Sequence, residues 1–288
     1  MHIVLGATGN VGSVVLKELL RAGEEVLAVT HSTRRVEELR QLGAEVAVAD
    51  INDAKTLKQI FSRGKTAFLL NPPGDVTKDS AQEEMNSIRS IIDAVHNSSF
   101  QHVTVASTQG AQRGERIGDL GSLFELEEGI RATKVSATIV RAGFYMSNWS
   151  PQAPNAKEGK IQSFFPRDFK MPMIAPQDIG KFHARKLMEP PPNDFEIFDL
   201  NGPDEYSAQD VADAFSQIFN RAVEIEVTPQ PKWMETFESF GFSKESAQSY
   251  ARMSEIALKR AYESSIQSLR GAVTLSDYLN ETCNRSQS

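Results

Sequence analysis

The sequence predicts an α/β protein built on a doubly wound parallel sheet, with a smaller mixed C-terminal lobe. Three observations carry this. Strand-like and helix-like patterns alternate through the first half of the chain, which is how parallel sheets with right-handed crossovers are built. The first apolar strand runs straight into Gly6, Gly9 and Gly12, and an amphipathic helix follows at once. The chain has 288 residues, 40% hydrophobic and 24% charged, enough for one large α/β domain plus a lobe.

The first strand, 2–5, feeds the turn Gly6-Ala7-Thr8-Gly9-Asn10-Val11-Gly12. Glycine allows a tight backbone turn and the close approach of a bulky anion. In the helix expected over 11–22, Val11, Val15, Leu19 and Ala22 share one face, so the helix N-terminus points back at the glycines. Free N–H groups and the positive dipole end there suit a diphosphate. A strand before and a helix after supply the context that a dinucleotide fingerprint requires, and make the fold Rossmann-type; a plain tight turn is the alternative.

The second strand, 25–30, ends in His31-Ser32-Thr33-Arg34-Arg35, with no carboxylate at the tip where an NAD site usually carries one. A 2′-phosphate would suit Arg34 or Arg35, so NADP(H) is expected. Otherwise these arginines are a solvated helix start paired with Glu37 or Glu38. A helix over 33–42 leads to the third strand, 45–48, closed by Ala49, Asp50 and Ile51. Asp50 either meets the adenine amino group or caps the helix over 53–61. The fourth strand, 66–70, ends at Asn71-Pro72-Pro73-Gly74, whose prolines force the chain out of the sheet. A helix over 80–97 precedes the fifth strand, 102–106, which closes at Ser107-Thr108. A helix over 122–132 precedes the sixth, 136–140, which closes at Arg141-Ala142-Gly143-Phe144-Tyr145. All these tips are expected to face one crevice.

Residues 143–170 show little periodicity. Beyond them come a helix over 176–188, a strand over 195–200, and a capping-box start at Ser207 and Asp210 for a helix to Phe219. A short strand over 223–227, helices over 233–241 and 244–262, and a polar tail over 284–288 complete the chain. The dinucleotide domain is therefore expected over 1–145, completed by about 174–201. The lobe takes 146–173 and 202–288, a place for substrate or partner.

A net charge of −7 argues against nucleic acid as a direct partner. The single cysteine, Cys283, reads as incidental and points to a reducing compartment, so cytoplasmic localisation is expected. No secretory signal or membrane-length apolar run is visible, and no membrane association is expected. His102 and His183 read as structural or exposed, without metal-ligand spacing, and no metal is expected.

The chain resembles the NmrA-like family of atypical short-chain dehydrogenase/reductases. The resemblance rests on residues 6–12, on Phe68-Leu69-Leu70-Asn71-Pro72-Pro73, on Val105-Ala106-Ser107-Thr108-Gln109-Gly110-Ala111, on residues 138–148 and on Asp199-Leu200-Asn201-Gly202-Pro203. It implies NADP(H) binding, and either quinone oxidoreductase activity or sensing of the nicotinamide redox state on behalf of a protein partner. It implies that Gly6, Thr8, Asn10, Val11 and Gly12 hold the diphosphate. It also implies that Asn71 and Pro72 flank the nicotinamide-side ribose and that residues 143–148 cover the nicotinamide. His31 falls where relatives often carry arginine, and Arg35 where they often carry a basic residue.

Classical relatives use Tyr-x-x-x-Lys to protonate the substrate oxygen. Here Tyr145, Tyr206, Tyr250, Tyr262 and Tyr278 are followed four positions on by Trp149, Asp210, Ser254, Ile266 and Thr282. Reduction of ordinary ketones is therefore disfavoured, while a quinone accepts hydride to give a stabilised anion. The function expected is an NADPH-dependent reductase of a small quinone-like acceptor. The alternative is a non-catalytic NADP(H) sensor acting on a protein partner; a homo-oligomer fits either. Tyr145 is the one candidate donor, or it packs. Glu127 reads as a solvated helix face rather than a support for the Ser107 strand end. Trp149, Phe164, Phe165 and Phe169 line an apolar pocket or form the lobe core.

Overall fold

The computed structural model describes residues 1–262 and 267–285; residues 286–288 of the expected polar tail lie outside the described residues. The alternating half forms β1 (His2–Val4), α1 (Gly12–Arg21), β2 (Val26–Thr30), α2 (Val36–Gln41), β3 (Glu45–Val48), α3 (Ala54–Phe61) and β4 (Thr66–Leu69). It continues with α4 (Ser80–His96), β5 (His102–Thr108), α5 (Asp119–Thr133) and β6 (Ala137–Ala142). Next come β7 (Phe144–Tyr145), α6 (Ala153–Lys157), β8 (Lys160–Ser163), β9 (Met171–Ile174), α7 (Pro176–Met188) and β10 (Phe195–Asn201). The last elements are β11 (Glu205–Tyr206), α8 (Ala208–Phe219), β12 (Glu224–Val227), α9 (Trp233–Ser239), α10 (Lys244–Lys259), β13 (Gln267–Arg270) and α11 (Leu275–Arg285).

The main sheet has eight strands in the order β13-β10-β6-β5-β4-β1-β2-β3, all parallel. β1 lies between β2 and β4, so the winding reverses beside it. Its inner strands are covered on both faces, and the period-2 alternation shows in which core each residue joins. Ile3, Leu27 and Val29 pack with α3, α4 and α5 through Leu57, Ile91 and Leu126. Val4, Val26 and Ala28 pack with α1 and α7 through Val15, Leu19, Ile179 and Phe182.

Two small sheets, β11-β9-β7 and β12-β8, build the lobe. Its core joins Met146, Trp149, Ile161, Phe215 and Leu279. A second small cluster centres on Trp233 and Phe237, with Phe164 stacked on Phe237 at 4.4 Å. Residues 143–170, which show little periodicity in sequence, hold β7, a 3₁₀ stretch over Met146–Gln152, α6 and β8, with β9 following. Pieces this short show no period. Helix ends also move: the pattern at 122–132 begins at Asp119, after Gly118 with φ +57°, and the last long helix stops at Lys259, where Arg260 is left-handed. Cys283, just ahead of the expected polar tail, is 5% exposed in the lobe core, where burial pushes its thiol up. No helix of the described residues is long and apolar enough to cross a membrane.

Candidate functional site

The glycine turn is tight. Gly6 sits at φ +60°, and a Cβ at Gly12 would stand 2.3 Å from the Gly6 carbonyl oxygen. The Ala7 amide donates to the Val29 carbonyl at 3.2 Å and the Gly9 amide to the Gly6 carbonyl at 2.9 Å, which pins the loop between β1 and β2. Asp53, Asp79, Ser207 and Ser243 cap α3, α4, α8 and α10 with their side chains, whereas α1 has no side-chain cap. The amides of Asn10, Val11 and Gly12 find no acceptor among the described residues. Unsatisfied donors at a helix start form an anion site.

That turn opens onto a cleft of about 600 Å³ over the tips of β1, β2 and β3. Gly6, Thr8, His31, Asp50, Ile51 and Pro72 line it, together with Val29, Leu57 and Leu70. A polar rim over an apolar floor, next to free amides, fits an adenosine diphosphate moiety. At the β2 tip, Ser32 Oγ accepts from the Arg34 amide at 3.2 Å and caps a single 3₁₀ turn. Arg35 is already committed: it donates to both Glu38 oxygens, at 2.8 and 2.6 Å, and reaches the Thr8 carbonyl at 3.3 Å. The Glu38 pairing raises its pKa further. The exposed Arg34 guanidinium has no partner among the described residues. Asp50 Oδ1 accepts from the Asn52 amide at 2.9 Å, while Asp53 caps the following helix.

The other tips are more occupied. Asn71 Oδ1 accepts from Ser87 Oγ at 2.5 Å, and Pro73 is exposed. Glu127, expected on a solvated helix face, is 1% exposed. It accepts from Arg141 Nε at 2.9 Å, from Arg141 Nη2 at 2.6 Å and from Ser107 Oγ at 2.5 Å. The helix pattern hid this because Glu127 lies on the α5 face with Leu126 and Ile130, and only the Arg141 strand makes burial tolerable. Ser107 therefore spends its hydroxyl on Glu127, and Thr108 makes only a 3.3 Å contact to the Gln109 carbonyl.

Gly143 donates to the Leu200 carbonyl at 2.9 Å and lies so close to β9 that a Cβ would meet the Pro172 carbonyl oxygen at 2.7 Å. Phe144 packs in the lobe core, 6.3 Å from Trp149 and 6.4 Å from Phe165. Trp149, Phe165 and Phe169 join it there, and Phe164 joins the second cluster, so these aromatics take the core alternative. Tyr145 packs against the sheet core, and its hydroxyl has no partner among the described residues. Burial, with the Asp119 charge beside it, pushes that phenol above its ordinary range, which makes it a poor proton donor.

Ser80, Glu84, Ser87 and Asp119 escaped the sequence reading. Ser80, Glu84 and Ser87 form a polar stripe on α4, each 2–3% exposed. Glu84 Oε1 accepts from the Gly74 amide at 3.2 Å, and burial raises its pKa. Asp119 opens α5; burial, then the Glu84 charge, lift it to about 6. Tyr250 on α10 is raised by burial, then by Asp119 and Glu84. The only sequence signal was the spacing 80, 84, 87, a polar stripe where an apolar one is expected. His102 and His183 are both buried. His102 Nε2 meets Thr138 Oγ1 at 2.9 Å, while both His183 nitrogens have no partner among the described residues.

A parallel sheet that reverses beside β1, with an uncapped helix at that point, defines the class of Rossmann-type folds that carry dinucleotide sites. Within that class the chain belongs to the NmrA-like family, whose sequence model matches residues 2–279. It is 24% identical over 224 residues to the NAD(P)H azoreductase of Xenophilus azovorans, covering 77% of this chain and 75% of that protein. Among solved structures it is similar to the Citrobacter sp. triphenylmethane reductase complexed with NADP(H), at TM-score 0.79 and 17% identity, over 98% of this chain and 99% of that one. It is also similar to the NADPH-dependent quinone oxidoreductase of Escherichia coli complexed with NADPH, at TM-score 0.76 and 17% identity, over 99% and 100%. At these identities the structures establish the shared fold.

Proposed function

We propose that the protein binds NADP(H) and passes hydride from NADPH to a flat, electron-poor acceptor of quinone type. The observation that carries the reading is the row of uncommitted amides at Asn10–Gly12, on the turn whose Gly6 and Thr8 line the cleft bounded by His31 and Asp50. The Asn10, Val11 and Gly12 amides hold the diphosphate, Ile51 and Leu57 pack the adenine, and the free Arg34 takes the 2′-phosphate. Arg35 serves the site differently: held by Glu38, it grips the Thr8 carbonyl and steadies the turn. Bound NADPH supplies hydride chemistry. The absence of Tyr-x-x-x-Lys and the commitment of Ser107 to Glu127 favour acceptors whose reduced anion is stabilised by conjugation. Relatives whose names join NAD(P)H to azo, triphenylmethane and quinone acceptors support the same class.

The test combines binding with turnover. NADPH is expected to bind more tightly than NADH. Arg34→Ala should weaken NADPH about 10- to 100-fold, the worth of one charged hydrogen bond, and leave NADH unchanged. Benzoquinone analogues should accelerate NADPH oxidation above the enzyme-free rate. Equal affinities in wild type and variant refute the assignment of Arg34. NADPH binding without oxidation across quinone, azo and triarylmethane acceptors replaces the reductase by a redox-sensing binding protein.

A further inference from the structure

Beyond β1 the crevice wall is set by the loop that follows β4, and buried polar groups outside the cofactor cradle hold that loop from behind. Leu70 and Pro72 both line the cleft, and Leu70 lies against the glycine turn, where a Cβ on Gly6 would meet its Cδ2 at 2.7 Å. Asn71 stands between them, half-buried, at the cleft edge. β4 pairs with β1 on the side away from β2 and β3. An adenosine over β1, β2 and β3, with its diphosphate at the start of α1, therefore leaves the second half of the dinucleotide to cross toward β4 and Asn71.

α4 clamps this loop at three points. Ser87 Oγ lies 2.5 Å from Asn71 Oδ1, and Glu84 Oε1 accepts from the Gly74 amide at 3.2 Å. Gly74 comes so close to the first turn of α4 that a Cβ would stand 2.4 Å from the Ser80 carbonyl oxygen. Ser80, Glu84 and Ser87 are all buried, so the clamp is shielded from competing water. The far end of the loop is tied to the lobe: the Ser243 amide donates to the Val76 carbonyl at 2.8 Å, and Ser246 Oγ donates to the Lys78 carbonyl at 2.6 Å.

The Ser87 contact decides which way the Asn71 amide faces. At 2.5 Å it has the length of an O–H···O bond and is too short for an N–H···O bond, so Ser87 donates to the amide oxygen. Ser87 Oγ also lies 2.9 Å from the Glu84 carbonyl, but it has one hydrogen, and two oxygens at the shorter distance need that hydrogen between them. The amide NH2 group is left on the side away from Ser87, where it meets no acceptor among the described residues. We propose that Ser87 is a positioning residue for the cofactor: its hydroxyl fixes the Asn71 amide with the NH2 group toward the crevice, where it donates to a hydroxyl oxygen of the ribose in the second half of the dinucleotide. This rests on the NADP(H) reading above. Glu84 supports the same wall by holding the Gly74 end of the turn.

The experiment measures, by calorimetry, the binding of NADPH and of adenosine 2′,5′-bisphosphate, which carries the adenosine and the 2′-phosphate but no second ribose. It compares wild type, Ser87→Ala, Asn71→Ala, Asn71→Asp and the double variant Ser87→Ala/Asn71→Ala. Ser87→Ala should weaken NADPH about 5- to 10-fold, the worth of one hydrogen bond, and leave the bisphosphate unchanged; a general loosening of the fold would weaken both. Asn71→Asp keeps the oxygen that Ser87 holds and replaces only the NH2 group, so it should lose at least as much NADPH affinity as Asn71→Ala. The double variant should bind NADPH as Asn71→Ala does, because Ser87 acts through Asn71. Four results would each overturn the proposal and leave the NADP(H) reading standing: Ser87→Ala with wild-type NADPH affinity, Ser87→Ala with equal losses for both ligands, Asn71→Asp matching wild type, or a double-variant loss equal to the product of the single losses. No NADPH binding by wild type overturns both.

Discussion

Removing Glu127 should show how much the β5 and β6 tips depend on one buried carboxylate. Glu127 is 1% exposed and accepts two hydrogen bonds from Arg141 and one from Ser107. Arg141 has a side chain only 15% exposed, so Glu127→Leu leaves a guanidinium largely out of water. Breaking a buried pair on one side costs about 3–5 kcal/mol, and orphaning the Ser107 donor adds about 1 kcal/mol. The charge of Asp199 also reaches Arg141, which places the expected loss near the lower figure, about 3 kcal/mol. Against a total stability of about 5–15 kcal/mol this is large. Glu127→Leu combined with Arg141→Met removes both charges, and should recover at least about 2 kcal/mol of that loss. Urea unfolding followed by the fluorescence of the two tryptophans measures Glu127→Leu, Arg141→Met and the double variant. A Glu127→Leu cost under about 1 kcal/mol, or single effects that merely add, would refute the reasoning.

Three further outcomes follow from the same structure. His183 is fully buried, both ring nitrogens without a partner among the described residues, its pKa pushed down to about 3 by burial, and Phe68 edge-on at 4.7 Å. It remains neutral in the fold, so wild type loses stability as pH falls from about 6.5 toward 3; His183→Leu should gain about 1–3 kcal/mol near neutrality and lose this acid sensitivity, read from melting curves. Gly12→Ala drives a methyl into the Gly6 carbonyl; the chain should fold, with circular dichroism unchanged, while NADPH affinity measured by calorimetry falls at least about 10-fold. For Asp119 the folded value of about 6 exceeds the ordinary 3.8, so its contribution to stability is present below 3.8 and lost as pH rises through 6. Asp119→Asn should therefore stabilise at about pH 8 by up to ~3 kcal/mol and much less at about pH 4, and an equal gain at both would contradict the burial argument.

Much of the fold was legible because its signals are local. Continuous apolar strands such as Phe68-Leu69-Leu70 and amphipathic helices such as 11–22 are set by neighbours a few residues apart. The lobe was less legible. β7 and β11 are two residues long, and their pairing with β9 joins Phe144 to Met173 and Tyr206 to Met171, partners that no local pattern connects. β13 is exposed along its whole length, yet joins the sheet through β10, a contact made only after the chain has left the sheet and returned. For the site, the glycine turn and the basic tip were visible as spacing and composition. The commitment of Arg35 to Glu38 rather than to a ligand was left open, because one helical turn offers the pairing without deciding it.

The sequence alone determined that a helix start without a capping side chain would face a glycine turn, and that no Tyr-x-x-x-Lys pair exists, because both are statements about residues close along the chain. The tertiary structure decided what became of the charged groups. Glu127 is enclosed by Arg141 from another strand. Burial and the charge of Glu84, on another helix, lift the Asp119 carboxyl. A carboxylate's protonation and partners depend on desolvation and on charges brought within reach by folding, and these are fixed by distance in space.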